Sequence, residues 1–273
     1  MGVKCAAFYS DPMFASLPSS LAWLPQLVAS STSCRVCGHW QHQPVCATCL
    51  RQFAPPQCRC RRCGLTLARP NLDSVCTQCE DYPPEMDQVV VAVDFAAPWS
   101  DLIGELKFQQ APAAARMLAQ LLTQAVRQSV AQHGHPTPDL ILPIPLSATR
   151  WQERGYNQAW LLAQAVSRAL GWQSRLCHDT LVRRHDTGRL MSMHADDRVR
   201  RIRQAFAVHA SKRHQVEGQH VVLVDDVMTT GATANEAART LLEAGAASVN
   251  GWFAARTPAY RAQPRPLRLC PAQ

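Results

Sequence analysis

Residues 221–233 read Val-Val-Leu-Val-Asp-Asp-Val-Met-Thr-Thr-Gly-Ala-Thr, and an alanine-rich stretch follows to Ala244. Val221 to Val224 are consecutive aliphatic residues, the pattern of a strand buried on both faces. Asp225 and Asp226 end that strand. Thr233 stands at the N-cap position of a helix whose apolar face carries Ala237, Ala238, Leu241 and Leu242, and Gly245 is placed to close it. The amide groups of Thr229, Thr230, Gly231, Ala232 and Thr233 can converge on one phosphate at the positive end of the helix dipole, because small residues let the backbone approach closely. The two carboxylates beside the loop suit ribose hydroxyls, or a Mg²⁺ that bridges hydroxyl and pyrophosphate. The stretch therefore predicts a binding site for a phosphorylated sugar. The simpler alternative is a βα turn with a threonine cap and surface acids.

Working outward, the rest of the chain alternates strands and helices. Val89 to Phe95 alternates as a strand, and Trp99 to Phe108 has helical spacing at Leu102, Ile103 and Leu106. Ala113 to Gln132 is a helix and Asp139 to Leu142 a short buried strand. Pro143-Ile-Pro145-Leu146 leads to a basic turn, Arg150 to Gln158, then a helix from Ala159 to Leu170 closed by Gly171. Val249 to Ala255 supplies another strand. This order predicts an α/β fold, a parallel sheet with helices on both faces, whose right-handed crossovers gather loops at the carboxyl ends of the strands. One pocket then receives Arg150, Arg154, Asp225, Asp226 and the threonine loop. Residues 183–203 hold seven arginines, a solvated surface or a track for a polyanion.

The twelve cysteines are uneven: nine crowd between Cys34 and Cys79, leaving Cys5, Cys177 and Cys270 as singles. Four Cys-x-x-Cys pairs occur in order, Cys34/Cys37, Cys46/Cys49, Cys60/Cys63 and Cys76/Cys79. Each pair can turn two thiolates toward one ion, and two pairs complete a tetrahedron. Eight residues separate the first two pairs and twelve the last two, gaps a short hairpin can span. The simplest reading is two consecutive structural zinc ribbons, about two zinc ions per chain, each stabilising its segment by ~10 kcal/mol. Interleaved pairing stays open on spacing alone, as does replacement of Cys60 by Cys58; His39 and His42 find no vacancy in four-cysteine sites. Arg51, Arg59, Arg61 and Arg62, with Trp40 and Phe53 as stacking platforms, make a nucleic-acid contact one reading of the module and a solvated surface the other.

Composition bounds the rest. The chain has 273 residues, 47% hydrophobic, enough for a sizeable core. The net charge is +8 and the pI near 9.0, favouring phosphorylated or nucleic-acid partners. No apolar run approaches the ~18 residues of a membrane span. The expected organisation is a poorly ordered leader at 1–33, a double zinc-ribbon module at 34–79, a linker at 80–88 with two prolines and four acids, an α/β domain at 89–256 and a loosely held tail at 257–273.

The Asp225 to Thr233 stretch closely resembles the phosphoribosyl-pyrophosphate (PRPP) signature of type I phosphoribosyltransferases. Together with the four cysteine pairs, Leu106-Lys107-Phe108, Pro143-Ile-Pro145-Leu146, Arg154-Gly-Tyr-Asn157-Gln158 and Arg198, the chain from 34 to about 256 resembles the ComF family of bacterial competence proteins. The resemblance implies a type I phosphoribosyltransferase-like sheet, PRPP with Mg²⁺ as ligand and a cytoplasmic location. It also implies a role in handling incoming single-stranded DNA during natural transformation, beside a competence helicase or DNA-uptake channel components. It places Lys107 and Arg154 near pyrophosphate and Asn157 and Gln158 near its loop, and it makes Asp225 and Asp226 the catalytic pair of any transfer. Two positions depart from the pattern: Thr187-Gly-Arg-Leu190 stands for the usual Thr-x-x-Gln, and Arg201 for an expected Asn. Three readings follow: a PRPP-binding competence factor that engages single-stranded DNA, an active nucleobase phosphoribosyltransferase that releases pyrophosphate, and a DNA-binding adaptor without ligand.

Overall fold

A computed structural model describes residues 32–67, 75–108, 112–133, 137–184 and 205–259. Most of the leader, the segment between Arg184 and Ala205 with Arg189, Arg198 and Arg201, the tail beyond 259, and Cys5 and Cys270 lie outside the described residues. The described chain forms two compact units, divided between Pro55 and Pro56.

The first unit is small. Strands β1 (Thr32–Ser33) and β2 (Trp40–Gln41) pair antiparallel around the first cysteine knuckle. Helix α1 (Ala47–Phe53) starts at Cys46, whose sulfur accepts from the Cys49 amide.

The second unit opens on the second knuckle and α2 (Thr77–Asp81), then builds a four-stranded sheet. Its strands are β3 (Gln88–Asp94), β4 (Leu140–Pro143), β7 (His220–Met228) and β8 (Ser248–Arg256), in the order β3-β8-β7-β4. Every pairing is parallel, as the strand–helix alternation predicts. Helices α3 (Trp99–Phe108), α4 (Pro112–His133) and α6 (Gln158–Leu170) lie on one side, with α4 against β3 and β8 and α6 against β4 and β7. Helix α7 (Ala232–Glu243) covers the other side, with an antiparallel pair formed by β5 (Leu181–Arg183) and β6 (Phe206–Val208). A continuous apolar core on that side joins Val221 and Leu223 to Ala237, Ala238 and Leu241.

That same core includes Cys60, Cys63, Cys79 and Met86. The second knuckle is built onto the sheet: the Val89 amide donates to the Arg61 carbonyl at 2.7 Å, and Arg59 pairs with Asp94 at 2.8 Å. Gly64, in the left-handed region at φ +70°, lies so close to β3 that a Cβ there would sit 2.4 Å from Val91 Cγ2. The segment read as a linker is held too. Met86 is fully buried, the Glu85 amide donates to Asn235 Oδ1 at 2.6 Å, and Asp87 exchanges bonds with Val249. The break between compact units therefore falls between the two cysteine groups, and 80–88 is a strap along the sheet rather than a hinge.

Three local expectations are corrected. Strand β7 runs on to Met228, so Asp225 and Asp226 lie inside it, because β8 continues to pair as far as Arg256 opposite Met228. The N-cap of α7 is Gly231 at φ +86° and not Thr233; Gly231 makes the sharp turn that a side chain at that φ resists. Arg150 to Arg154 belong to a short helix, α5 (Ala148–Arg154), capped by the buried Ser147 hydroxyl, which accepts from the Arg150 amide.

Candidate functional site

The cysteines pair in sequence order. Cys34, Cys37, Cys46 and Cys49 form one group and Cys60, Cys63, Cys76 and Cys79 the other, with all sulfurs of a group within 4.8 Å. Cys58, His39 and His42 belong to neither group. Sulfur separations of 3.8 Å for Cys37–Cys46 and 3.7 Å for Cys63–Cys76 match the edge of a tetrahedron with Zn–S bonds of ~2.3 Å. The architecture repeats: a knuckle supplies the first pair, and the first turn of a helix supplies the second. Backbone amides reinforce the sulfurs, Cys46 N–H to Cys34 Sγ at 3.3 Å and Cys76 N–H to Cys60 Sγ at 3.3 Å. Burial opposes ionisation of Cys34, but the amides of Cys46, Cys37 and Val36 outweigh it and bring that thiol down to about 6. The hydrogen bond from Cys63 brings Cys60 down to about 4, while burial pushes Cys79 up to about 12. Both groups fit zinc by ligand type, sulfur spacing and closed coordination.

The second cluster lies at the carboxyl end of β7. Pairing with β4 stops at Val224, and beyond it the backbone is satisfied by the acids themselves: Asp225 Oδ1 accepts from the Asp226 amide and Asp226 Oδ1 from the Val227 amide, both at 2.8 Å. Asp226 is buried on the α3 side, where Lys107 Nζ lies 3.1 Å from its Oδ2. That contact is an ion pair without an aligned hydrogen bond, so the attraction between the two groups is one of charge. Burial, and then the neighbouring Asp226 charge, raise the Asp225 carboxyl well above the usual carboxylate range, against the pull of Lys107.

Thr229, Thr230, Ala232 and Thr233 are exposed around Gly231, at the amino end of α7. The Thr230 hydroxyl accepts from the Ala232 amide at 3.3 Å, shaping the turn. The site thus assembles Lys107, Asp225, Asp226 and residues 229–233 at one strand end. Asp226 Oδ2, a buried carboxylate oxygen without an aligned hydrogen bond, retains capacity for a cation, so the donor set fits Mg²⁺.

The arginines are placed differently from the acids. Arg150 is exposed on α5. Arg154 donates to Gln158 Oε1 at 2.9 Å and its guanidinium lies 5.6 Å from the centre of the exposed Phe108 ring. Among the described residues, neither touches the acid pair. Asn157 has a structural task, capping α6 and donating to the Ile144 carbonyl at 3.0 Å, and the Tyr156 hydroxyl donates to the Leu106 carbonyl. These bonds join the α3 end that carries Lys107 to the loop after β4.

One buried residue beside the loop escaped the sequence reading. Arg256 is 6% exposed at the end of β8, and donates to the carbonyls of Cys63, Met228 and Thr229. The only signal for it was a cation placed directly after the apolar run that ends at Ala255.

A parallel sheet that ends in an acid pair, a small-residue turn and a helix amino terminus defines a phosphoribosyltransferase-type protein. The phosphoribosyl transferase domain family matches residues 157–266. The chain is 36% identical over 226 residues to DNA utilization protein YhgH of Salmonella typhi, covering 82% of this chain and 95% of that one. It is 34% identical over 225 residues to competence protein F of Haemophilus influenzae, again covering 82% and 95%. The chain belongs to this family of DNA utilization and competence F proteins, the ComF family that its motifs resemble. Among solved structures, a glutamine PRPP amidotransferase from B. subtilis complexed with ADP and GMP matches with a TM-score of 0.34 and 21% identity, covering 52% of this chain and 26% of that one. Among the described residues no helix is long and apolar enough to cross a membrane.

Proposed function

We propose that this protein binds PRPP with Mg²⁺ at the β7–α7 turn and acts as a cytoplasmic ComF-type competence protein that engages single-stranded DNA. The observation that carries the ligand is the acid pair, half-buried Asp225 and buried Asp226 with its Lys107 counter-charge, directly ahead of the exposed loop 229–233. In this reading the loop amides and threonine hydroxyls hold the 5-phosphate, and Asp225 and Asp226 face the ribose diol. Mg²⁺, held by the acids, would neutralise pyrophosphate charge. Lys107 is the nearest cation to receive the pyrophosphate once ribose and metal compete for Asp226. The names of the relatives, DNA utilization and competence proteins, support the DNA side of the reading. So does the +8 net charge.

Calorimetric titration of the zinc-loaded full chain with PRPP and Mg²⁺ tests the ligand. Saturable binding is expected in wild type, with at least a tenfold loss in D225N/D226N, which still folds cooperatively. Equal affinity in the double variant sinks the assignment, and no binding in wild type leaves the DNA-binding adaptor. Adding a panel of nucleobases separates the enzyme reading, because steady pyrophosphate release with one base would identify a transferase. Titration of a single-stranded oligonucleotide, with and without PRPP, then measures coupling between the two ligands.

A further inference from the structure

We propose that Arg256 is a positioning residue that couples the second cysteine site to the phosphate loop, so that metal at Cys60, Cys63, Cys76 and Cys79 sets the geometry of residues 229–233. The affinity part of this proposal rests on the PRPP reading above; the geometric part does not.

The guanidinium of Arg256 makes a fork with its ends in two different structures. Nε donates to the Cys63 carbonyl at 2.8 Å. Nη1 donates to the Met228 carbonyl at 3.1 Å, to the Thr229 carbonyl, and to the Thr257 carbonyl at 3.0 Å. Cys63 closes the second knuckle, and Met228 and Thr229 open the loop. A planar guanidinium transmits position between these points because its donors stand in a fixed geometry, whereas a lysine ammonium carries no such fork. The β-ladder holds the same place, since Arg256 is the register partner of Met228 and the Thr257 amide donates to the Met228 carbonyl at 3.0 Å. Met228 is itself buried, and its Cε would lie 2.6 Å from a Cβ built on Gly231, so the start of the turn is packed from below as well as tethered.

On the other side, the knuckle is fixed to β3 at Val89, Val91 and Asp94. Its tip is closed by the four sulfurs. A divalent ion bound to four thiolates keeps a net negative charge, which favours the buried guanidinium beside Cys63 and Cys79. Loss of the ion frees the Cys60–Cys63 turn, and with it the carbonyl that orients Arg256. The first cysteine group, in the other compact unit, is the internal control.

Hydrogen–deuterium exchange on the full zinc-loaded chain tests this directly, comparing wild type with R256K, C76S and C37S. In R256K, exchange of the Ala232 and Thr257 amides, which are hydrogen-bonded at the loop, is expected to rise at least tenfold, while the β4 amides Ile141 and Leu142 stay within twofold of wild type; in C76S the loop amides rise by more than the β4 amides. C37S is expected to leave both segments unchanged. R256K retains its full zinc content and loses at least tenfold in PRPP affinity. If C76S does not fold, R256K decides alone. Loop exchange within twofold of wild type in R256K overturns the proposal, and so does an equal rise in β4, which would mark a merely structural role. If wild type fails to bind PRPP, the ligand reading falls and the exchange data still decide the coupling.

Discussion

The two cysteine sites share a ligand set, a knuckle-plus-helix design and nearly the same sulfur spacing, yet they belong to different structures. The first lies, among the described residues of its unit, between a pair of two-residue strands and one short helix, where Cys37 is exposed and Gly38 has open space around it. The second is part of the core of the α/β unit, with Cys60, Cys63 and Cys79 packed among Met86, Val89, Val91 and Phe253. Metal in the first is expected to stabilise only its own segment. Metal in the second would also stabilise the sheet that carries the acid pair. Identical coordination chemistry is thus an independent module in one place and a structural part of the binding domain in the other.

The largest effect should come from the cysteines themselves. C76S is expected to lower the stability of the α/β unit by about 5 kcal/mol or more, because the metal contributes directly to folding. C46S should leave the main calorimetric transition in place while removing one zinc per chain. Equal losses in both variants would break the comparison.

Next come the knuckle glycines. G64A is expected to cost about 3 kcal/mol, from left-handed strain plus collision with Val91. G38A carries the same φ penalty without the collision, about 1 kcal/mol. Chemical denaturation of both variants checks the difference.

The acid pair sharpens the contrast through pH. Burial and Asp226 raise the Asp225 pKa in the folded protein, so the folded state binds more protons than the unfolded one across that interval. The contribution of Asp225 to stability without ligand is therefore fully present below the unfolded carboxylate range and is lost as pH rises through the raised value. Affinity for Mg²⁺ and PRPP should move the other way, by up to about tenfold per pH unit, because the ligand needs the ionised pair. K107M removes the compensating charge and should shift both curves to higher pH. Titrations at stepped pH in wild type and K107M measure this.

The smallest effect separates the arginines of the two knuckles. R59A breaks a partly buried pair with Asp94 and should cost about 1 kcal/mol. R51A loses a single exposed bond to Thr48 and should be within about 0.5 kcal/mol of wild type.

Much of the fold was legible because its signals are local. The aliphatic run at Val221, the helical spacing of Leu102, Ile103 and Leu106, and Gly171 closing α6 each follow from patterns shorter than twenty residues. The misplaced features are those a neighbour decides. Asp225 and Asp226 look terminal by composition, but β8 extends the ladder past them. Arg150 to Arg154 look like a turn, but a buried serine caps them into a helix. The proline- and acid-rich stretch before β3 looks like a hinge, but Met86 buries itself under the sheet.

By itself, the sequence determined the chemistry: four pairs of thiols at metal spacing, two carboxylates, and a small-residue turn ahead of a helix. Periodicity, caps and ligand spacing act over a few residues, and the chain states them directly. Only the tertiary structure decided which groups cooperate. It brought Lys107 of α3 to Asp226 of β7, incorporated one cysteine site into the core while leaving the other in a separate unit, and buried Arg256 between Cys63 and the loop at Met228. Parallel strand order and side-chain burial create those meetings, and neither is written in any single stretch of the chain.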